Sequence, residues 1–229
     1  MSIADNLLKY KSELDKEEVE LIAVSKYQDT DAILEAYNAG QRVFGENIVQ
    51  ELADKQQQLP ADIEWHLIGH LQTNKVKYIA PFIKLIQSVD SLKLLIEINK
   101  QAAKHKRVID CLLQIYIADE DTKFGLGFDE AIELLRSDEF TELKNIRIVG
   151  LMGIASNNAT EKQTTDEFTE LKVLFDGIKL SFFRKEASFK EVSMGMSGDY
   201  RLAIEAGSTM VRIGSSIFGK RKIKHYKAE

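Results

Sequence analysis

The chain has 229 residues, 44% of them hydrophobic and 29% charged, a globular composition rather than a disordered or collagen-like one. Its 31 Lys and Arg stand against 36 Asp and Glu, a net charge of −5, which argues against a protein built mainly to hold nucleic acid. One cysteine, Cys111, excludes an internal disulfide framework and a multi-thiolate metal site.

The first twenty residues are charged throughout, with no apolar core or small-residue cleavage site of a signal peptide. No stretch reaches the ~18 uninterrupted apolar residues of a membrane span. The expectation is a cytoplasmic protein with a reduced thiol and no membrane partner.

Residues 2–16 read as a helix, because Ile3, Leu7, Leu8 and Leu14 fall on one face. LIAVS (21–25) is the first strand-like run, and a helix over 29–39 follows, opened by N-cap candidates and stopped at Gly40. RVFG (42–45) and a helix over 46–58 come next, then EWHLIG (64–69) and a short helix over 73–79 ahead of Pro81. KLIQSV (84–89) leads to a helix over 91–106, and DCLLQIYI (110–117) to one over 128–136. IRIVGLMGI (146–154) precedes a long helix over 160–181, and FKEVSMG (189–195) a helix over 198–206. TMVRIGSSIF (209–218) is the eighth run.

The runs are continuously apolar, as in strands buried on both faces of a parallel sheet. Eight βα units imply right-handed crossovers, and α/β barrels take about 200–250 residues. The predicted fold is therefore α/β: a single (β/α)8 TIM barrel over 1–229, with an extra N-terminal helix. The eighth helix must come from the few residues after Phe218 or from the N-terminal helix closing the ring.

A barrel places its chemistry where strands end and βα loops begin. Unusual residues gather there: Lys26, Asn47, His66 to His70, Asp90, Ser91, Met152, Ser156, Ser193 to Ser197, and Arg212 to Ser216. Lys26 ends an apolar strand. Partial desolvation there disfavours the ammonium and makes an amine nucleophile of the Schiff-base kind. The bland alternative is a lysine that snorkels into solvent. MGMSGD and RIGSS are Gly/Ser-rich turns after the last two strands, where barrels often bind phosphate through free backbone N–H groups. They could equally be plain turns that need small residues. Arg212 sits in an apolar strand, so it either faces an anion or aromatic nitrogen in the mouth or pairs with a strand-end carboxylate such as Asp90. His66 and His70 have metal-ligand spacing but lack the metalloprotease Glu and any thiolate, so no metal is expected. The basic tail KRKIKHYKAE reads as a solvated chain end.

Taken in order, AVSK (23–26), FGENIVQE (44–51), WHLIGHLQTNK (65–75), SVDS (88–91), TKFG (122–125), GLMGI (150–154), SMGMSGD (193–199) and GSTMVRIGSSIFGKR (207–221) resemble the pyridoxal phosphate homeostasis protein family. That family is related to the alanine racemase N-terminal barrel. The resemblance spans nearly the whole chain. It implies a barrel with pyridoxal 5′-phosphate (PLP) in its mouth, held as an aldimine on Lys26. It implies a phosphate held by Ser193 and Ser197 with Gly214 and Ser215, Met196 lying in the same turn. Arg212 would face the pyridine nitrogen and keep it unprotonated, since two adjacent positive charges are unfavourable. Asn47 and His66 would line the ring, and Lys123 looks like a second amine near the site.

Tyr27 and Gln28 depart from what is usual after the lysine, which leaves the shape of that loop open. The expected function is PLP binding and intracellular PLP homeostasis without turnover, as a monomer, with PLP-dependent apoenzymes as possible recipients. The reason is that two-base racemisation needs a proton donor on each face, and the relatives' extra β-domain supplies the second. Alternatives are a minimal PLP-dependent racemase-like enzyme and a barrel enzyme acting on a phosphorylated sugar.

Overall fold

The computed structural model describes residues 2–118 and 124–220. In chain order the elements are α1 (Ile3–Leu14), β1 (Glu20–Val24), α2 (Thr30–Asn38), β2 (Val43–Glu46), α3 (Val49–Gln56), β3 (Glu64–Leu67), α4 (Val76–Ile79), β4 (Leu85–Val89) and α5 (Leu92–Lys104). They continue with β5 (Ile109–Ile115), α6 (Phe128–Arg136), α7 (Asp138–Thr141), β6 (Ile146–Gly153), α8 (Glu161–Phe182), β7 (Glu191–Met196), α9 (Tyr200–Glu205), β8 (Met210–Ile213) and α10 (Ser215–Phe218). The eight strands close into a barrel in sequence order, every neighbouring pair parallel and β8 returning to β1. The predicted TIM barrel is the observed fold.

Local chemistry starts the helices where the sequence places them. Ser2 and Asp5 form a capping box at α1, Asp29 accepts from the Ala32 N–H at 2.9 Å, and Ser91 accepts from Leu94 N–H at 3.3 Å. These caps satisfy N–H groups that a helix leaves without internal partners.

Strand alternation sends side chains to two different cores. Outside the sheet, Phe44, Trp65, Leu113 and Ile148 pack against helix residues such as Leu52, Leu95 and Phe168. Inside, Ile22, Leu85, Leu112, Val149, Met152 and Met210 form a smaller apolar plug. Phe44 is fully buried in the outer core, where truncation to Ala costs about 3–5 kcal/mol.

Two expectations are corrected. The eighth apolar run is not one strand: β8 stops at Ile213, and after Gly214 one helical turn, α10, buries Ile217 and Phe218. Gly214, Ser215 and Ser216 leave the core at the break, and the burial of Ile217 and Phe218 beyond it makes the run read as continuing. The helix expected from residue 46 starts at Val49, because Glu46 pairs within the sheet opposite Leu67. The eighth helical position is filled by α10 with α1, which lies against α2, β1 and α10 and donates from Asn6 Nδ2 to Ile217 C=O at 3.2 Å.

Candidate functional site

Lys26 sits in a tight turn directly after β1. Gln28 N–H bonds back to Ser25 C=O at 3.1 Å, and Tyr27 between them has φ +60°. Gly or Asn usually takes such a position, and a bulky residue there costs roughly 1–3 kcal/mol unless its surroundings hold it.

The hold comes from three buried ionisable side chains below the turn. Lys55 Nζ donates to Ser25 C=O at 2.8 Å, to Glu46 Oε1 at 2.7 Å and to Glu51 Oε1 at 2.6 Å. Glu51 Oε1 also accepts the Tyr27 N–H at 2.6 Å, and the Ser25 hydroxyl donates to Glu46 at 2.6 Å. All three ammonium protons of Lys55 therefore meet oxygen. Burial, with the Glu51 charge adding, outweighs Lys55 and raises the Glu46 carboxyl to about 7.

A second polar chain runs through the barrel interior. Arg212 Nη1 donates to Ser193 Oγ at 2.7 Å, and Ser193 Oγ donates to Gln87 Oε1 at 2.6 Å. Gln87 Nε2 then lies 3.1 Å from His66 Nδ1. The donors run in one direction, so the network assigns His66 as an acceptor at Nδ1 with its proton on Nε2. Burial lowers the His66 imidazole to about 3, which agrees with a neutral ring. Arg212 Nη2 donates to Gly153 C=O at 2.9 Å, and burial lowers its guanidinium only to about 10, so it stays charged. Arg212 thus uses neutral acceptors, and Asp90 instead lies 3.1 Å from His70 Nδ1. The ion-pair alternative for Arg212 is not what forms.

The upper mouth, at the C-terminal ends of the strands, holds a cavity of about 340 Å³ lined by Lys26, Gln28, Asn47, Met196, Ser197, Arg212, Gly214 and Ser215, among others. That volume falls within the ~300–1,000 Å³ of small-molecule sites. No carboxylate lines it among the described residues. Gln28 Oε1 and Asn47 Oδ1 are buried with no hydrogen-bond partner among the described residues. Such atoms normally find a partner, so their position on a cavity wall points to a ligand donor.

Two glycines shape this mouth. Gly195, at φ +92°, turns β7 toward the Ser197 loop, and a Cβ there would come within 2.6 Å of Ala203 Cβ. Gly69 lets its loop close on the backbone of Asn47, since a Cβ would come within 2.3 Å of Asn47 C=O.

Of the residues expected at the site, Lys26, Asn47, Met196, Ser197, Arg212, Gly214 and Ser215 converge on this cavity. Ser193 and His66 do not line it. Ser193 is fully buried with its hydroxyl committed to Gln87 and Arg212, and His66 borders a cavity at the opposite end of the barrel. Both lie one layer too deep, because strand tilt and register set a residue's depth and a strand-end motif does not reveal it. Ser156 bonds through both N–H and Oγ to Glu167. Lys123 and the basic tail from residue 221 lie outside the described residues. Gln28, noted in the sequence only as a departure after Lys26, was not expected as a site residue, and neither was the Glu46–Lys55–Glu51 group. The signal available was Tyr27–Gln28 itself, an unusual pair beside a strand-end lysine.

The parallel (β/α)8 barrel brings a lysine, a buried arginine and two small-residue turns around one mouth. Residues 1–222 match the family model for the alanine racemase N-terminal domain. The chain is 40% identical over 204 residues to the pyridoxal phosphate homeostasis protein of Aquifex aeolicus, covering 88% of this chain and 87% of that one. It is 39% identical over 209 residues to the protein of the same name from Escherichia coli K12, covering 90% and 87%. The chain belongs to the pyridoxal phosphate homeostasis protein family, within the alanine racemase N-terminal-domain barrels. PipY of Synechococcus elongatus, solved with PLP bound, matches with a TM-score of 0.86 at 35% identity over 95% of this chain and 100% of that one. Alanine racemase from Bartonella henselae shares the fold, with a TM-score of 0.70 at 17% identity over 100% of this chain and 62% of that one.

Proposed function

We propose that this chain binds PLP in the upper mouth with Lys26 as the attachment point, and serves PLP homeostasis rather than turnover. The observation that supports this most is the convergence of Lys26, Arg212 and both small-residue turns on one cavity lined by no carboxylate among the described residues. When bound, PLP supplies an aldehyde carbon that condenses reversibly with a primary amine, releasing water.

The chain's own residues divide the remaining work. Ser197, Gly198, Gly214 and Ser215, which line the cavity, would hold a phosphate through hydroxyl and backbone N–H groups. Arg212, fixed by Ser193 and Gly153, would offer a positive charge to a ring nitrogen and disfavour a proton there. Asn47 and Gln28 offer buried carbonyl oxygens to a ligand donor. PipY and the named homeostasis proteins support PLP as the ligand.

Absence of turnover fits Arg212, which weakens electron withdrawal by the ring. It also fits a cavity wall on which Lys26 is the one general base among the described residues. The racemase-like alternative predicts α-proton exchange of amino acids in deuterated water.

The deciding experiment is the visible spectrum of the protein with PLP, before and after borohydride, with peptide mapping of the reduced product. A yellow protein labelled at Lys26, and loss of that label in Lys26→Ala, is expected. The same covalent band retained in Lys26→Ala overturns the attachment point, and a colourless wild type overturns PLP binding. Steady α-proton exchange by the loaded protein would favour the enzyme.

A further inference from the structure

The buried group Glu46–Lys55–Glu51 touches neither cavity wall directly, yet it holds both peptide groups that flank Lys26. Lys55 bonds the carbonyl before it, on Ser25, at 2.8 Å. Glu51 bonds the amide after it, on Tyr27, at 2.6 Å. Glu46 takes the Ser25 hydroxyl at 2.6 Å, and its own strand runs straight into Asn47, which lines the cavity. Two walls of the mouth therefore hang on one ionic knot.

We propose that Glu46, Lys55 and Glu51 form a positioning unit that sets the Lys26 amine and Asn47 relative to each other. The proposal rests on the reading of Lys26 as the reactive amine.

Several physical features favour this over simple stabilisation. A buried ion pair is a poor source of net stability, because desolvation offsets the attraction. An apolar replacement would serve the core as well, but it could not bond both Ser25 C=O and Tyr27 N–H. Tyr27 also stands at φ +60°, where the chain does not rest unaided. Glu51 is the group that holds its amide. The spacing serves the same end: Glu51 and Lys55 are i,i+4 on α3, so one helix face delivers both an acceptor and a donor to the turn. Glu51 and Lys55 are not catalytic residues, since neither lines the cavity. They act through the turn.

The test compares Glu51→Ala, which removes the acceptor from Tyr27, with Glu51→Gln, which keeps an oxygen there. Two readouts are taken on folded protein. The first is the PLP dissociation constant by absorbance titration. The second is the rate at which Lys26 is acetylated without PLP, relative to exposed lysines, by competitive labelling and peptide mapping. Glu51→Ala is expected to weaken PLP roughly tenfold to a hundredfold, the effect of losing a hydrogen bond to a charged group, and to change the Lys26 labelling rate. Glu51→Gln should restore most of both. A folded Glu51→Ala with wild-type affinity and wild-type labelling overturns the proposal.

If Glu51→Ala does not fold, amide exchange of the unmutated protein decides. The Tyr27 N–H should be as protected as the amides of β1, and exchange at an unprotected rate overturns the proposal. A wild type that takes up no PLP overturns the proposed function alone, and the labelling ratio then judges the positioning unit by itself.

Discussion

The two ends of the barrel are built on opposite electrostatic plans. The lower mouth, at the strand N-termini, holds a cavity of about 230 Å³ bordered by Glu20, Glu64, Asp110 and Glu191 and by Lys84, Arg147 and Lys190. Three of the four carboxylates are paired: Arg147 with Asp110 at 2.7 Å, Lys84 with Glu64 at 3.3 Å, and Lys190 with Glu191 at 3.5 Å, while burial and the neighbouring Glu191 and Glu64 raise the Glu20 carboxyl. The upper mouth brings Lys26 and Arg212 together with uncharged walls and two buried orphan oxygens. A set of charges mostly paired within itself makes little demand on a ligand. A cationic wall with no carboxylate among the described residues carries a charge that its own lining does not answer. Charged residues alone do not mark a site, and the balance among them does.

The strongest way to break this contrast is Arg212→Met. It removes the buried charge and takes a donor from Gly153 C=O and from Ser193 Oγ, which keeps its bond to Gln87, so PLP affinity should fall about 10–100-fold and stability by about 1–3 kcal/mol. Titration and urea unfolding read the two effects. Affinity held within twofold would show that the charge does not face the ligand.

Gly69→Ala attacks the upper mouth through its backbone. The new Cβ would lie within 2.3 Å of Asn47 C=O, so the loop must move, at about 1–3 kcal/mol and with weaker PLP binding. An unchanged urea midpoint would mean that the loop yields freely.

Two buried groups, one towards each end, are shifted in opposite directions. Glu46, beneath the upper mouth, is raised from 4.5 to about 7, so its folded form holds the proton more tightly than the unfolded chain. Its contribution to stability is full below pH 4.5 and is lost as pH rises to 7. His66, above the lower mouth, is lowered from 6.5 to about 3. Its contribution is full above pH 6.5 and is lost as pH falls to 3. Between pH 4.5 and 6.5 the two slopes oppose, each up to about 1.4 kcal/mol per pH unit. Relative to wild type, Glu46→Gln should therefore make the urea midpoint fall more steeply on acidification, and His66→Gln less steeply. Parallel pH profiles for all three proteins would remove both shifts.

Arg147→Ala is the smallest change and sharpens the contrast from the other side. Its pair with Asp110 is half exposed, so the loss should be under about 1 kcal/mol with PLP affinity unchanged. A weakened PLP complex would mean that the lower mouth communicates with the site.

Much of this architecture was legible because it depends on local rules. Eight apolar runs split by capped amphipathic segments describe a parallel barrel, and Lys26, Asn47, Ser197, Gly214 and Ser215 fall at strand ends where the observed cavity lies. The turn at Gly214 was legible in RIGSS, but the helical turn after it was not, because α10 buries Ile217 and Phe218 as fully as a strand would. What the amino-acid order determined by itself was the number and direction of the strands, the caps, and which residue types reach the mouth. These follow from periodicity and chain neighbours. Tertiary structure decided the depth of each side chain. Barrel closure and register set His66 and Ser193 inside the barrel rather than in the mouth, drew Gln28 onto the cavity wall, and carried Lys55 from α3 to the turn that holds Lys26. Those placements rest on contacts between residues distant in sequence, and closing the barrel is what creates them.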